Sequence, residues 1–119
     1  MDTITMLRAA ALLFVIAAAG GLIMAGIRLM GNRNPPIWLA YGHGMLAGAG
    51  LTLLIYPAIT SSIPTHAWWA LLILVAAAGG GSVMNLAYHW QQKPLPRPLL
   101  YAHGLLAVAG VALLVGVVV

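Results

Sequence analysis

Cysteine is absent from this sequence of 119 residues, and acidic side chains are nearly absent. The lack of cysteine excludes disulfide bonds, thiolate metal sites, iron–sulfur clusters and cysteine nucleophiles. Asp2 is the only acidic residue, so no apolar segment offers the buried carboxylate that ion-coupled transporters use. Charged residues make up only 5% of the chain, whereas soluble domains contain about a quarter. The chain is therefore not expected to fold as a soluble domain.

Hydrophobic residues make up 63% of the chain and are gathered into four long runs. Each run is long enough for one membrane-spanning helix of roughly 20 residues. The connections are short, and short connections join antiparallel neighbours. The sequence thus predicts an all-α fold, an integral membrane four-helix bundle with up-down-up-down topology, as a single transmembrane domain over residues 1–119. The predicted spans are residues 4–30, 37–58, 66–88 and 98–119.

Basic residues are distributed unevenly between the two ends of this predicted bundle. Four of them lie at the first and third connections, whereas the other end has only Arg8, partly offset by Asp2. The positive-inside rule therefore predicts cytoplasmic first and third loops and places both termini outside. We expect an integral protein of the bacterial inner membrane, with the lipid bilayer as a partner. Because the net charge of +4 is explained by these topology signals, no nucleic-acid partner is predicted.

The sequence contains an internal repeat. Residues 7–57 align with residues 67–117 without a gap, and about 19 of the 51 pairs are identical, far more than chance allows. The chain is interpreted as two tandem two-helix repeats, residues 4–58 and 64–119. Because each repeat holds an even number of spans, we expect a pseudo-two-fold axis along the membrane normal, with the second helix facing the fourth.

The best-matched part of the repeat has the pattern Y-x-H-G-x-L-A-x-A-G, at residues 41–50 and 101–110. Many of its identities fall on one helical face, which should line the axis. This face carries His43 and Ala47 in the first repeat, and His103 and Ala107 in the second. Further identities near this depth lie on the first helix of each repeat, and they are Gly20, Gly21 and Met24 against Gly80, Gly81 and Met84.

His43 is predicted to lie about 10 Å from the cytoplasmic start of its helix, and His103 nearly as deep. Ionisable side chains within a span are costly and mark a functional site by default. Neither helix face offers an obvious acceptor, because the spans contain no Asp or Glu, and Thr52 and Ser82 are expected to lie away from this level. Two matched imidazoles are therefore expected to share a partner.

Paired histidines on facing helices, with glycines on the neighbouring helices, resemble the four-helix b-type cytochromes, including the cytochrome b561-like proteins and the quinol-oxidising cytochromes b. The resemblance implies one haem b per chain, with His43 and His103 as axial ligands. The chain departs from the larger families because it lacks a second histidine pair, and His66 stands alone at the other end. Residues expected at the haem site are Gly20, Gly21, Gly80 and Gly81 for clearance, Met24, Met84, Ala47 and Ala107 around it, and Arg28 as a partner for the haem propionates.

The same resemblance implies electron transfer. The chain would pass electrons between a membrane quinone and a redox partner protein, as a component of a quinone-linked oxidoreductase or as a small subunit of a respiratory complex. With both axial positions filled, the iron has no open site for oxygen chemistry.

Glycine-rich outer surfaces also suit association with other subunits or a homo-oligomer.

Two other functions fit the same residues. Met24 and Met84 are predicted at the depth of the histidines, and thioether and imidazole ligands suit Cu(I), so a copper-binding membrane protein is one alternative. In the other, the histidines only hydrogen-bond across the bundle, and the chain is a structural or accessory subunit without a cofactor. The sequence leaves all three interpretations open.

Overall fold

The computed structural model describes residues 1–119 and confirms an all-α bundle of four long apolar helices. These are α1 (Thr3–Gly31), α2 (Ile37–Thr60), α3 (Thr65–Val83) and α4 (Arg97–Val118). A π-helical segment, Met84–His89, continues α3 and extends the third candidate span to His89. Each of the four is long and apolar enough to cross a membrane. The predicted spans therefore agree with the helices to within a few residues.

The helix ends follow from the residues that flank them. α1 begins after Asp2, whose carboxylate accepts a hydrogen bond from the Thr5 backbone N–H at 2.8 Å. Hydrogen bonds from the Thr5 hydroxyl and backbone hold the pKa of Asp2 below its usual range. α1 ends before Asn32, whose φ of 49° is left-handed, a conformation that Asn adopts more readily than most residues. The other three helices each begin directly after a proline, at Pro36, Pro64 and Pro96.

The helices pack as two hairpins. α1 lies against α2 and α3 against α4, and the hairpins meet through α1 with α4 and, less extensively, α2 with α3. This order leaves α2 and α4 diagonally opposite each other. The bundle measures 43 × 20 × 20 Å, and its long dimension matches a bilayer of about 40–45 Å with its headgroups. The pseudo-two-fold axis and the orientation in the membrane remain predictions.

The main cluster of buried hydrophobic residues occupies one half of the bundle. We call the half that contains both termini and the second loop the terminal half, and the half next to the first and third loops the two-loop half. The terminal half is closely packed, whereas the two-loop half contains a cavity, described below. The core of the terminal half consists of Leu7, Ala10, Ala11, Phe14, Leu54, Ala58, Ile63, Ala67, Ala70, Leu71, Leu74 and Leu114.

Gly110 is required for the close approach of α4 to α3. A Cβ atom built at Gly110 would lie 2.7 Å from Leu74 Cγ, and Leu74 is only 3% exposed. We expect Gly110→Ala to lower the free energy of unfolding by about 1–3 kcal/mol through overpacking, which exceeds the gain of at most about 1 kcal/mol from helix propensity.

Gly116 lies on the same helix and has no atom within 4 Å of a built Cβ, so Gly116→Ala is the matched control. The measurement is reversible unfolding in mixed detergent micelles, followed by circular dichroism. Equal stabilities of the two variants would contradict the close approach at Gly110.

Candidate functional site

His43 on α2 and His103 on α4 meet inside the two-loop half. Their ring centroids are 6.1 Å apart, and the ring planes are inclined by 74°. Both side chains are half-buried, although they come from diagonally opposite helices. The structure thus brings together the two histidines that the repeat paired.

Each imidazole is oriented by a backbone carbonyl group of the first helix of its own hairpin. Nδ1 of His43 lies 2.7 Å from the Ala17 oxygen, and Nδ1 of His103 lies 2.7 Å from the Ala77 oxygen. A carbonyl oxygen only accepts, so Nδ1 carries the proton and donates it. The lone pair of the neutral ring is then at Nε2, and neither Nε2 has a hydrogen-bond partner in the protein. The two Nε2 atoms are therefore the ring nitrogens that the protein leaves free.

These carbonyl groups correct one expectation. The histidines were expected to lack an acceptor, which is wrong, because a helical carbonyl oxygen has a second lone pair beyond the one used in the helix. Ser82 was expected to lie away from the histidines, but it lines the same cavity. The need for a shared partner therefore does not follow from a missing acceptor, and it rests instead on the two free Nε2 atoms.

Gly21 and Gly81 make room for the imidazoles. A Cβ atom at Gly21 would lie 3.1 Å from Cε1 of His43, and one at Gly81 would lie 3.0 Å from Cε1 of His103. Contacts of this length are tighter than nine in ten of those made by real Cβ atoms, so each imidazole would have to shift by a few tenths of an ångström. The resemblance assigned these glycines to clearance beside a cofactor ring, whereas in the structure they are in contact with the histidines themselves.

Gly20 and Gly80 do not take part in the site in the same way. A Cβ at Gly20 would meet no atom within 4 Å, and one at Gly80 would lie 3.8 Å from Cβ of His103. Neither glycine lines the cavity around the histidines. Of the four glycines expected at the site, Gly21 and Gly81 line the cavity, Gly80 lies beside His103 without lining it, and Gly20 does neither.

A cavity of about 500 Å³ surrounds the two histidines. Ligand and cofactor pockets commonly have volumes of about 300–1,000 Å³ and mostly apolar walls with a few polar groups. This cavity has that character, because its walls are largely apolar and its polar groups include the two imidazoles. Of the residues expected at the site, those that line the cavity are His43, His103, Gly21, Gly81, Met24, Met84, Ala47 and Ala107.

Met24 and Met84 lie on opposite hairpins and both border the cavity. Met84 is 7% exposed, and Met24 is half-buried. Nowhere in the chain do three or more His, Cys, Asp or Glu side chains lie close enough together to hold a metal ion. A metal ion held by the two histidines would therefore take further protein ligands only from softer or neutral groups such as these thioethers.

Asn85 is a cavity residue that sequence reasoning missed. It lies in the π-helical segment, and its side-chain oxygen Oδ1 is buried without a hydrogen-bond partner. Residue 25, which aligns with it in the first repeat, is Ala25 in a regular α-helix. Short π-helical segments within α-helices are frequent at functional sites. The detectable signal was a lone amide in an apolar span, at a position where the two repeats differ.

Arg28 lies outside this cavity. Its side chain is 8% exposed, and its Nε donates a hydrogen bond to the Leu95 carbonyl oxygen at 3.0 Å. Its Nη1 donates to Oδ1 of Asn32 at 3.1 Å. The guanidinium group thus connects α1 to the third loop, and it lines a second pocket at the rim of the bundle.

Comparison of the chain with protein-family models, with curated proteins and with solved structures finds no match. Chemically, the cavity offers two neutral imidazole nitrogens, two thioethers, one unpartnered amide oxygen and an apolar wall. Such a set can hold a planar metal-containing cofactor or a soft metal ion within the membrane.

Proposed function

We propose that the chain binds one haem b between His43 and His103 and transfers electrons within the membrane. The observation that carries this proposal is the separation of the two rings inside a cavity of cofactor size. Imidazole nitrogens bind first-row metals at roughly 2.0–2.1 Å, so two rings on opposite sides of one metal have centroids about 6 Å apart. The observed 6.1 Å fits this requirement.

The volume of the cavity favours a cofactor over a bare ion. A metal ion needs little more space than a water molecule, which occupies about 30 Å³, whereas the cavity measures about 500 Å³. The donor set also fits haem b, because both nitrogens belong to neutral rings and no carboxylate lies nearby. Met24 and Met84 supply flexible apolar contacts that suit a flat ring.

The residues around the pair have definite tasks under this proposal. The carbonyl groups of Ala17 and Ala77 hold the Nδ1 protons, which fixes the tautomer and increases the basicity of Nε2. Gly21 and Gly81 let the imidazoles reach those carbonyl groups. The apolar wall keeps water out and the local dielectric constant low. Haem b, when bound, supplies a one-electron redox couple.

The electron donors and acceptors and the cellular location are part of the same proposal. A quinone and a redox partner protein, or the other subunits of a respiratory complex, are the proposed donors and acceptors of electrons. The proposed location is the bacterial inner membrane, with the first and third loops in the cytoplasm, because four of the five basic residues lie at those loops.

The test of the proposal is the absorption spectrum of protein purified in mild detergent, recorded oxidised and reduced, together with the haem content. We expect a red protein with one haem per chain and the sharp reduced bands of low-spin iron with two histidine ligands. Protein expressed with ample iron and haem precursor that stays colourless, and takes up no added haem, would contradict haem binding.

Copper is the second candidate, because both methionines border the same cavity as the histidines. Metal analysis of the same sample separates the two functions. Bound copper that is lost in a variant carrying Met24→Leu and Met84→Leu would support a copper site. Haem binding should survive that double substitution, since the axial ligands remain. A sample with neither haem nor copper would favour the structural interpretation, in which the bonds to Ala17 and Ala77 are the only task of the histidines.

A further inference from the structure

A second pocket lies at the end of the two-loop half, between the first and third loops. It has a volume of about 890 Å³, and we call it the rim pocket. Hydrogen-bond donors dominate its polar groups, and no acidic residue lines it. The donors that line it include the side chains of Arg28, Asn32, Arg33, His89, Trp90 and Gln92.

Arg28 is a buried cation without a counter-ion. It is the only charged residue among the buried ones, with 8% of its surface exposed. The single acidic residue, Asp2, lies at the opposite end of α1. A charge removed from water is costly unless it is paired, and the two groups that accept from Arg28 are neutral, the Leu95 carbonyl and the Asn32 amide oxygen. Three of its five N–H donors are left without a protein partner.

The rim pocket is held in shape by contacts between the loops. Asn34 donates from Nδ2 to the Lys93 carbonyl oxygen at 2.7 Å, and its Oδ1 accepts from the Leu95 backbone N–H at 3.0 Å. Nε2 of His89 donates to the Pro35 carbonyl oxygen at 2.8 Å. The first and third loops are therefore fixed to each other around Arg28.

The other walls of the rim pocket are also suited to an anion. Arg33 is an exposed second cation, and Trp90 and Gln92 carry further N–H donors. Arginine binds phosphate oxygens through two parallel hydrogen bonds. Basic pockets between spans at the membrane surface bind phosphorylated lipid headgroups, and exposed aromatic residues such as Trp90 are enriched at that depth.

We propose that the rim pocket binds an oxyanion, the phosphate group of an anionic phospholipid, with Arg28 as its buried ligand and Arg33 as its exposed one. The two cavities share wall residues, among them His89, but Arg28 and Arg33 line only the rim pocket, so the proposal does not depend on the proposed haem site. The same phosphate chemistry has two sources, a lipid headgroup and free inorganic phosphate, and the experiment below separates them.

The experiment is native mass spectrometry of the full chain in detergent, with titration of short-chain phosphatidylglycerol, short-chain phosphatidylcholine and inorganic phosphate in separate arms. We expect one phosphatidylglycerol per chain at saturation. Phosphatidylcholine should bind about tenfold more weakly, because its cationic choline group meets the same arginines. Binding of inorganic phosphate with equal affinity would assign the pocket to the free ion, and binding of the lipid alone would assign it to the membrane.

Arg33→Gln is the decisive variant, because Arg33 is exposed and its loss should leave the fold intact. We expect it to weaken phosphatidylglycerol binding about tenfold, and Arg28→Gln to weaken it further. Arg97→Gln is the matched control, since Arg97 is a basic residue at the same end that does not line the rim pocket. Equal losses in Arg33→Gln and Arg97→Gln would overturn the proposal, since they would indicate diffuse surface attraction.

A final arm separates this proposal from the haem site. His43→Ala should bind phosphatidylglycerol as the wild type does, whether or not the wild type carries haem. Binding that appears only in His43→Ala would overturn the lipid assignment, because it would mean that a ligand of the histidine cavity already occupies the rim pocket. Absence of phosphatidylglycerol and phosphate binding in both proteins would overturn it as well.

Discussion

If haem binds as proposed, His43→Ala and His103→Ala are each expected to reduce bound haem to about a tenth of the wild-type amount or less, because each substitution removes one of the two nitrogens proposed to bind the iron. The protein should remain folded, since neither histidine belongs to the hydrophobic core of the terminal half. The measurement is the haem-to-protein ratio after purification, with circular dichroism as the test of fold.

His66→Ala is the matched control for this experiment. His66 is exposed at the start of α3, in the terminal half, and it makes no side-chain hydrogen bond. Its replacement should leave the haem content and the spectrum unchanged. If all three histidine variants keep their colour, or all three lose it, the haem does not lie between His43 and His103.

Gly81→Leu is expected to have an effect nearly as large, although it changes no ligand. Because a Cβ atom at this position already lies 3.0 Å from Cε1 of His103, we expect the larger leucine side chain to displace the imidazole. We expect His103 then to lose its hydrogen bond to the Ala77 carbonyl group and, with it, its orientation. Changes to groups that orient a metal ligand commonly cost about 10–100-fold in affinity, and we expect a haem affinity lowered by at least this factor.

Gly79→Leu is the matched control, only two residues away on the same helix. Gly79 is exposed, and a Cβ atom built there meets nothing within 4 Å. Both variants exchange glycine for leucine in α3, so helix propensity and hydropathy change equally, and only the contact with His103 differs. Haem titration of the two proteins measures the effect. Similar affinities would show that Gly81 does not position the histidine.

The overall fold was predictable because the bilayer imposes strong constraints on a chain of this composition. Four apolar runs of span length, separated by short polar connections, allow little besides an antiparallel bundle. The pairing of His43 with His103 was also predictable, since each lies on the matched face of its repeat. A helical period of 3.6 residues then carries both rings toward the interior.

The immediate surroundings of the histidines were not predictable from residue types. The carbonyl groups of Ala17 and Ala77 belong to the backbone, which every residue possesses. No residue type therefore indicates which carbonyl groups accept hydrogen bonds from the histidines. Because no side chain marks these carbonyl groups, the sequence also contains no sign that the imidazoles lie against Gly21 and Gly81, and the space at these glycines was assigned to a cofactor ring. Their position beside the imidazoles depends on the distance between the helices of each hairpin, which residue types alone do not indicate.

The rim pocket was not predicted, because its shape depends on the conformation of the loops, which is the least predictable part of such a chain. Arg28 was expected to serve the haem propionates, because its position continues the inner face of α1. In the structure, the left-handed conformation of Asn32 and the course of the third loop place neutral oxygen acceptors around its guanidinium group. Likewise, the residue types of Met84–His89 do not indicate that this segment, which contains Asn85, is π-helical.

The difference between the closely packed terminal half and the two-loop half, which contains the cavity, has a consequence for biogenesis. The twelve core residues of the terminal half pack against one another, so the packing of their apolar side chains favours assembly of the helices once they are inserted. If a prosthetic group binds as proposed, it would enter a scaffold that already exists, and its uptake would be a separate, later event than integration into the lipid bilayer.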